Sequence, residues 1–475
     1  MEELPVELLG LVFALLGPDR AGDASRANAR LCCRRLSAVP LPRVRVLTHE
    51  WRVETVEAME AGMACALRGA RGCRDLSIDR PSVLLAVAAA APHLVANVVT
   101  LTLKSGECGW LGVLETAMLK KRPGALKALL LLMPLLPSLR EVVIEGRLDT
   151  LALPSAEEAA AVRDPRVTVR NALLNVKEDT TLEGLDRADV FWNALGGRRV
   201  GTLDVRVAGV PSDAVFERLV ALLRRVDICA DSLRLYSVIG GACRVRMDAV
   251  ADALRRVRGV ASAYVEGSEA LAGGLPASVS RVHVMRRANW LTCDGSIFCA
   301  LERSWEALRH LRVDGTVCCY DRANHDALRR LLRRVERLDV GDGDRWDYLP
   351  AISADAFFPL LSSADALDTL TLANVSPTVV VHLFADGKFH APRLRRVALL
   401  VSLEGFYGVD RRAALAALAE GMSQVALKEL EVYLWCGWLD GEEAEFRRSF
   451  DSSLELTLGE EGGKAPRFGQ LPFPS

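Results

Sequence analysis

The chain has 475 residues, half of them hydrophobic and 25% charged, with a formal net charge of −1. A single compact core stops growing well before this length, so the composition leaves either several domains or an elongated repeat. The near-zero net charge removes the basic footprint that nucleic-acid recognition requires. Lysine supplies only 8 of the 60 basic side chains, and beside abundant alanine this reads as coding bias and not as an arginine-built site.

At the start, Leu4-Pro5 opens a helix, with Glu7 in its first turn and Leu8, Leu9, Leu11, Val12, Leu15 and Leu16 apolar. Proline suits the first helical position, and an acidic side chain there complements the positive helix end. Gly17-Pro18 stops this helix. A second helical piece runs from about Asp23, with Leu31, Cys32 and Leu36 at helical spacing, and Val39-Pro40-Leu41-Pro42 closes a module of residues 1–42.

This stretch resembles the F-box, a small helical module that docks on the Skp-type adaptor of cullin-RING ubiquitin ligases. Leu4, Pro5, Glu7, Leu8, Val12, Phe13, Leu16 and Asp19 match the family pattern, followed by Cys32, Cys33, Arg34, Arg35 and Leu36, with Leu36 where the family usually has tryptophan. The resemblance implies an adaptor-binding set of Leu4, Pro5, Glu7, Leu8, Val12, Phe13, Leu16, Cys33, Arg34 and Leu36. On the residues alone, a helical hairpin that merely caps the rest of the chain is also open.

Residues 43–69 read as a linking or capping segment, with a first strand at Val44-Arg45-Val46 and a helix over Val53 to Leu67. From residue 70 a pattern apolar-x-x-apolar-x-apolar recurs: Cys73-Leu76-Ile78, Val98-Leu101-Leu103, Leu139-Val142-Ile144, Val200-Leu203-Val205 and Ala230-Leu233-Leu235. It continues as Val279-Val282-Val284, Leu308-Leu311-Val313, Val335-Leu338-Val340, Leu367-Leu370-Leu372, Leu394-Val397-Leu399 and Leu427-Leu430-Val432. Weaker copies stand at Asp164-Val167-Val169, Val260-Ala263-Val265 and Asp451-Leu454-Leu456. Each copy alternates as a short strand with one face inward, and the spacing of the copies signals a solenoid.

Helical spacing fills the intervals at Asp213 to Val226, Met247 to Val257, Asn324 to Val335, Ala354 to Ser362 and Arg411 to Ala419, with Ser212 and Ser353 as caps. Arg329-Arg330 and Arg333-Arg334, flanking Leu331-Leu332, read as the solvated face of such a helix. Strand followed by helix at this period resembles the leucine-rich repeat over residues 70–458. The asparagine of that family's motif is replaced here by Thr316, Gly343, Val375, Ser402 and Trp435, which implies an irregular variant with uneven helices. The expected fold class is therefore α/β: an N-terminal helical F-box-like module followed by an irregular leucine-rich-repeat solenoid, a horseshoe. Residues 459–475, rich in glycine, proline and charge, read as a tail.

Signatures of chemistry are missing. The chain has no phosphate loop, dinucleotide fingerprint or nucleophile elbow, and no Cys-x-x-Cys among its 12 cysteines. The cluster Asp339, Asp342, Asp344 and Asp347 lacks calcium-loop spacing and reads as a polar turn. His310 reads as a surface residue on the sheet. The apolar runs Val83 to Val99 and Leu126 to Leu139 are short for a bilayer and broken by proline. No cofactor, metal, enzyme activity, nucleic acid or membrane partner is expected, and free thiols suit a cytoplasmic or nuclear setting.

What a solenoid offers is its strand face, where residues between the apolar positions line up from copy to copy. On the late repeats these include His310, Arg312, Arg337, Asp339, Thr369, Thr371, Arg396, Ala398, Glu429 and Glu431, with Tyr433 and Trp435 continuing the last alternation. Arg312, Asp339, Thr371, Glu431, Tyr433 and Trp435 are the expected target-binding set, arginine and aromatics being frequent interface anchors. Trp346, Tyr348, Phe406, Tyr407 and Trp438 fall just after strands, either at that interface or folded back as caps. Together the two resemblances imply a substrate-recognition subunit of an SCF-type ligase, bound to the Skp-type adaptor and cullin and holding an unknown protein target. A repeat scaffold with no ubiquitin role is the alternative.

Overall fold

The computed structural model describes residues 43–46, 55–69, 73–104, 125–153, 155–238, 244–266, 269–285, 292–294, 296–304, 307–313, 316–318, 322–340, 364–375, 391–401, 411–423, 425–434 and 438–460. The F-box-like stretch 1–42, the expected helix over 354–362 and the tail beyond Glu460 lie outside them. The chain divides into two compact units, Met1–Leu174 with Glu183–Val200, and Asn175–Leu182 with Gly201–Ser475. Among the described residues both are α/β solenoid, built from parallel strands backed by helices.

In the first unit, β1 (Arg43–Val46), β2 (Asp75–Ile78), β3 (Thr100–Leu103), β4 (Glu141–Asp149) and β5 (Val167–Val176) pair in parallel in sequence order. Their register aligns Val44 of the linking segment with Leu76, Leu101, Val142 and Val167, the middle apolar positions of four sequence copies. Parallel neighbours need a crossover, and helices supply it. These are α1 (Val56–Gly69), α2 (Pro81–Ala90), α3 (Ala125–Leu132) and α4 (Ala156–Ala160), packed one on the next, with α5 (Leu182–Leu195) following β5. The runs 83–99 and 126–139 are buried helix, a 3₁₀ turn and the approach to a strand. Arg198 ties the end of this unit by donating to the carbonyls of Val162, Asp164, Val167 and Leu195.

The second unit carries β6 (Arg199–Ala208), β7 (Cys229–Val238), β8 (Ser262–Glu266), β9 (Arg281–Met285), β10 (Thr292–Asp294), β11 (His310–Val313), β12 (Thr316–Cys318), β13 (Arg337–Val340), β14 (Thr369–Val375), β15 (Arg396–Val401), β16 (Glu429–Leu434) and β17 (Glu455–Glu460). All but β10 and β12 follow one another in a parallel sheet, while β10 and β12 pair separately. Leu233, Ala263, Val282, Leu311, Leu338, Leu370, Val397, Leu430 and Leu456 stand in register, so the weak copy Val260-Ala263-Val265 is a full member. The copy expected at Asp451-Leu454-Leu456 lies two residues early, Leu456 and Leu458 being the partners of Leu430 and Val432. Gly459 and Glu460 belong to β17.

One backbone device recurs at the strand entries. A single carbonyl accepts from two consecutive N–H groups of the next repeat: Ser280 O from Arg309 and His310, Arg309 O from Glu336 and Arg337, Glu336 O from Asp368 and Thr369, Asp368 O from Arg395 and Arg396, and Arg395 O from Lys428 and Glu429, all at 2.7–3.1 Å. The first unit does the same at Arg74 O and Val99 O. In these repeats pairing therefore starts at one fixed place, while the β7–β8 and β16–β17 entries use other bonds.

The helical layer of this unit is α6 (Asp213–Arg225), α7 (Arg244–Leu254), α8 (Glu269–Gly273), α9 (Ser296–Ser304) and α10 (Arg322–Leu332), with α11 (Arg411–Ser423) and α12 (Glu442–Arg448) later. In α6, the Ser212 hydroxyl accepts from Val215 N, Asp213 stands in the positive first turn, and Arg224 and Arg225 stand in the last. Val215, Phe216, Leu219, Leu222 and Leu223 form its buried stripe. The helix ends expected at Val257 and Val335 fall a few residues late. Each is the buried apolar residue just after its helix, where the chain has turned toward the next strand. The helices are uneven, from five residues in α4 and α8 to 14 in α1 and α5. Among the described residues, no helix is long and apolar enough to cross a membrane.

Leu338 is fully buried, with Leu311 and Leu370 as its cross-strand partners. Leu338→Ala removes a side chain from a packed row and is expected to cost about 2–5 kcal/mol in urea unfolding, whereas Arg396→Ala at an exposed strand-face position should change stability by about 0.5 kcal/mol or less.

Candidate functional site

The register places Arg312, Asp339, Thr371, Ala398 and Glu431 as successive Cα partners on the strand face away from the apolar core. They form one row, as the alternation requires. Their exposure differs from the expectation of an open face: Arg312, Asp339 and Thr371 are 8%, 5% and 7% exposed. His310 is likewise buried and is not a surface residue. A strand-face position has neighbours two residues away and on both adjoining strands, so long side chains cover one another.

Asp339 is the hub. His310 Nε2 lies 2.7 Å from its Oδ2, Arg337 Nε donates to both oxygens at 3.1–3.2 Å, and the Thr371 hydroxyl also donates to it. Burial pushes the Asp339 carboxyl up, but the His310 hydrogen bond and the nearby Arg337 charge hold it below the usual carboxylate range. Instead of a polar turn, Asp339 is thus a strand residue with its acceptor capacity used. Asp342, Asp344 and Asp347 lie outside the described residues.

Of the remaining expected contacts, Glu431 and Tyr433 are half-buried and Trp435 lies outside the described residues. The Tyr433 hydroxyl donates to Glu431 Oε2 at 3.3 Å. Burial and then the Glu431 charge push the phenol up to about 12. Its ring lies across Gly459, its register partner on β17, where an added Cβ would stand 2.4 Å from the ring. Trp438 folds back over this end: its indole N–H donates to Gly459 O at 3.1 Å and its ring meets Phe446, which meets Phe450. Trp346, Tyr348, Phe406 and Tyr407 lie outside the described residues.

The same face holds a group absent from the set expected on the late repeats. On β6 to β9 it carries Asp204, Arg206, Arg234, Tyr236, Tyr264, Glu266 and His283, all at the alternating positions of their copies. The Arg206 guanidinium lies over the Tyr236 ring at 5.9 Å, and that of Arg234 over Tyr264 at 5.7 Å. Tyr264 also leans on the His283 ring, 4.8 Å between centroids. Such stacks bring about 0.5–2 kcal/mol each, depending on how dry they are. Burial raises Glu266 above its usual range, against the pull of Arg234 and Arg206. The signal in the sequence is arginine and tyrosine at outward positions of three consecutive copies.

Among the described residues, no group of three or more His, Cys, Asp or Glu side chains could hold a metal ion. Cys65, Cys73, Cys229 and Cys299 are thiols, and burial pushes Cys73 up to about 12.

No protein-family model matches the chain, and no curated protein is detectably similar to it. Among solved structures it is similar to the leucine-rich-repeat-containing protein LegL7 from Legionella pneumophila, at 13% identity and a TM-score of 0.35, over 81% of this chain and 97% of that one. It is also similar to a chain of the yeast Rad7 and Elc1 complex, at 14% identity and a TM-score of 0.35, over 95% and 92%. At those TM-scores neither likeness carries a functional argument.

Asp339 has a folded-state pKa below the unfolded value of about 3.9, so its contribution is complete above that value and is lost as pH falls through the folded one. The stability difference between wild type and Asp339→Asn should therefore be constant above about pH 5 and shrink below about pH 4, read by urea unfolding across pH. Gly459→Val should destabilise by about 1–3 kcal/mol through its collision with Tyr433, and a Tyr433→Ala background should remove most of that cost.

Proposed function

We propose that this chain is the substrate-recognition subunit of an SCF-type cullin-RING ubiquitin ligase. The observation that carries the reading is the N-terminal pattern: Leu4, Pro5, Glu7, Leu8, Val12, Phe13 and Leu16, followed by Cys33-Arg34 and Leu36. These residues would dock on a Skp-type adaptor, and through it on the cullin, as one apolar helical surface. The leucine-rich-repeat array supports the other half of the role, because a parallel sheet presents a continuous face of aligned polar and aromatic side chains.

In this reading the chain performs no chemistry. It raises the local concentration of a bound protein near a charged ubiquitin-conjugating enzyme, which is catalysis by proximity supplied to a partner. The scarcity of lysine leaves few sites for self-modification. The setting is the cytoplasm or nucleus, where thiols such as Cys65 stay reduced.

The test is capture of the adaptor by the full chain and by a Leu8→Asp/Phe13→Asp variant, with circular dichroism reporting whether the repeats stay folded. Binding by the wild type and its loss in a folded variant is the expected result. No capture by either form would overturn the ligase reading and leave a repeat scaffold whose first hairpin is a cap.

A further inference from the structure

Two neighbouring repeats build the same arrangement on the strand face, and one of them is incomplete. In the first, the Arg206 guanidinium lies on the Tyr236 ring while its N–H edge is gripped by Asp204, with Nε 3.1 and 3.2 Å from the two oxygens and Nη2 3.0 Å from Oδ2. The carboxylate comes from two residues earlier on the same strand. In the second, Arg234 lies on Tyr264, its register partner on β8, in the same way. Two residues before it stands Ser232, a buried side chain already bonded to Thr202 and to Gly201 O. Among the described residues, the Arg234 guanidinium makes no hydrogen bond and no ion pair. It is half-exposed, so a ligand can reach it.

A guanidinium held over an aromatic ring has part of its rotamer freedom restricted, and its planar donors form a fork that matches a carboxylate. Part of the ordering that a ligand would otherwise have to impose is thus already in place, which strengthens an anchor. We propose that Arg234 is the contact point for an acidic side chain of a partner protein, whose carboxylate takes on Arg234 the place that Asp204 takes on Arg206. Tyr236 and Tyr264 flank that place and supply apolar contact for the carbon stem of the side chain. Arg281, at the preceding alternating position of β9, adds a second positive charge to the face, while Glu266 sets its limit by opposing a second acidic group beside Arg234.

This inference rests on the strand-face half of the proposed function and is independent of the adaptor half. It is tested on the full chain, with no adaptor present, by fluorescence polarisation of a labelled oligoglutamate peptide, with oligoglutamine and a short single-stranded RNA as comparison probes. The expected result is binding of oligoglutamate alone, weakened about tenfold or more by Arg234→Gln and also by Arg234→Lys, which keeps the charge and loses the fork. Arg224→Gln, which removes an exposed arginine from α6, should bind as wild type. The Arg234 variants should unfold cooperatively with midpoints lowered by at most a few degrees, the cost of the lost contact with Tyr264, so a folded variant that fails to bind reports on the site itself. The proposal is overturned if wild type does not bind oligoglutamate, if Arg234→Lys retains full affinity, or if the RNA binds in preference to the peptide.

Discussion

Much of the structure depends on one backbone arrangement, the carbonyl before a strand that takes two N–H groups from the following repeat, seen from Ala261 through Arg395 and at Arg74 and Val99. Parallel strands have evenly spaced, slanted bonds and no hairpin to set their offset, so register has to be specified at some point along the pair. Here it is specified at the entry. The apolar residue just before, such as Leu308, Val335 or Leu367, is buried and anchors the chain from below. Once entry is set, period-two alternation sends Leu311, Leu338 and Leu370 into the core and brings Arg312, Asp339 and Thr371 side by side.

The polar face inherits its order from that register. Asp339 can collect His310, Arg337 and Thr371 only because three strands bring them within reach. The pairing of Arg206 with Tyr236 and of Arg234 with Tyr264 has the same origin. Charged groups on such a face are costly to cover unless they satisfy one another, and in the late repeats they do. In the earlier repeats the coverage is partial, with Arg234, Tyr236, Tyr264 and Glu266 left half-exposed.

The strands were legible in the sequence because their signal is local: Leu311 and Val313 alternate within a few residues, and even the weak copy at Ala263 is in register. The start of α6 was legible for the same reason, through Ser212 and Asp213. Burial of His310 and Arg312 was not, because what covers a strand-face side chain comes from a repeat some 25–30 positions away, and no local pattern reports its length or shape. The Arg–Tyr stacks were readable only by comparing outward positions across three copies. The docking role of Leu8 and Phe13 remains a sequence reading, since that stretch lies outside the described residues.

The shared carbonyl has a further consequence for how such a chain changes over generations. Because a strand with this device finds its place at its own entry, the length of the connection before it is almost free. The connection over 104–140 and that over 267–280 both deliver parallel neighbours, and doubling a connection costs only about 0.6 kcal/mol of closure entropy. An insertion or deletion between strands alters the helical side of one repeat and leaves the order of the opposite face intact. A whole strand-and-helix unit could be lost or copied with its neighbours rejoining through the same two N–H groups. The fold is thus tolerant of length and intolerant of register, and its face can be re-edited one row at a time.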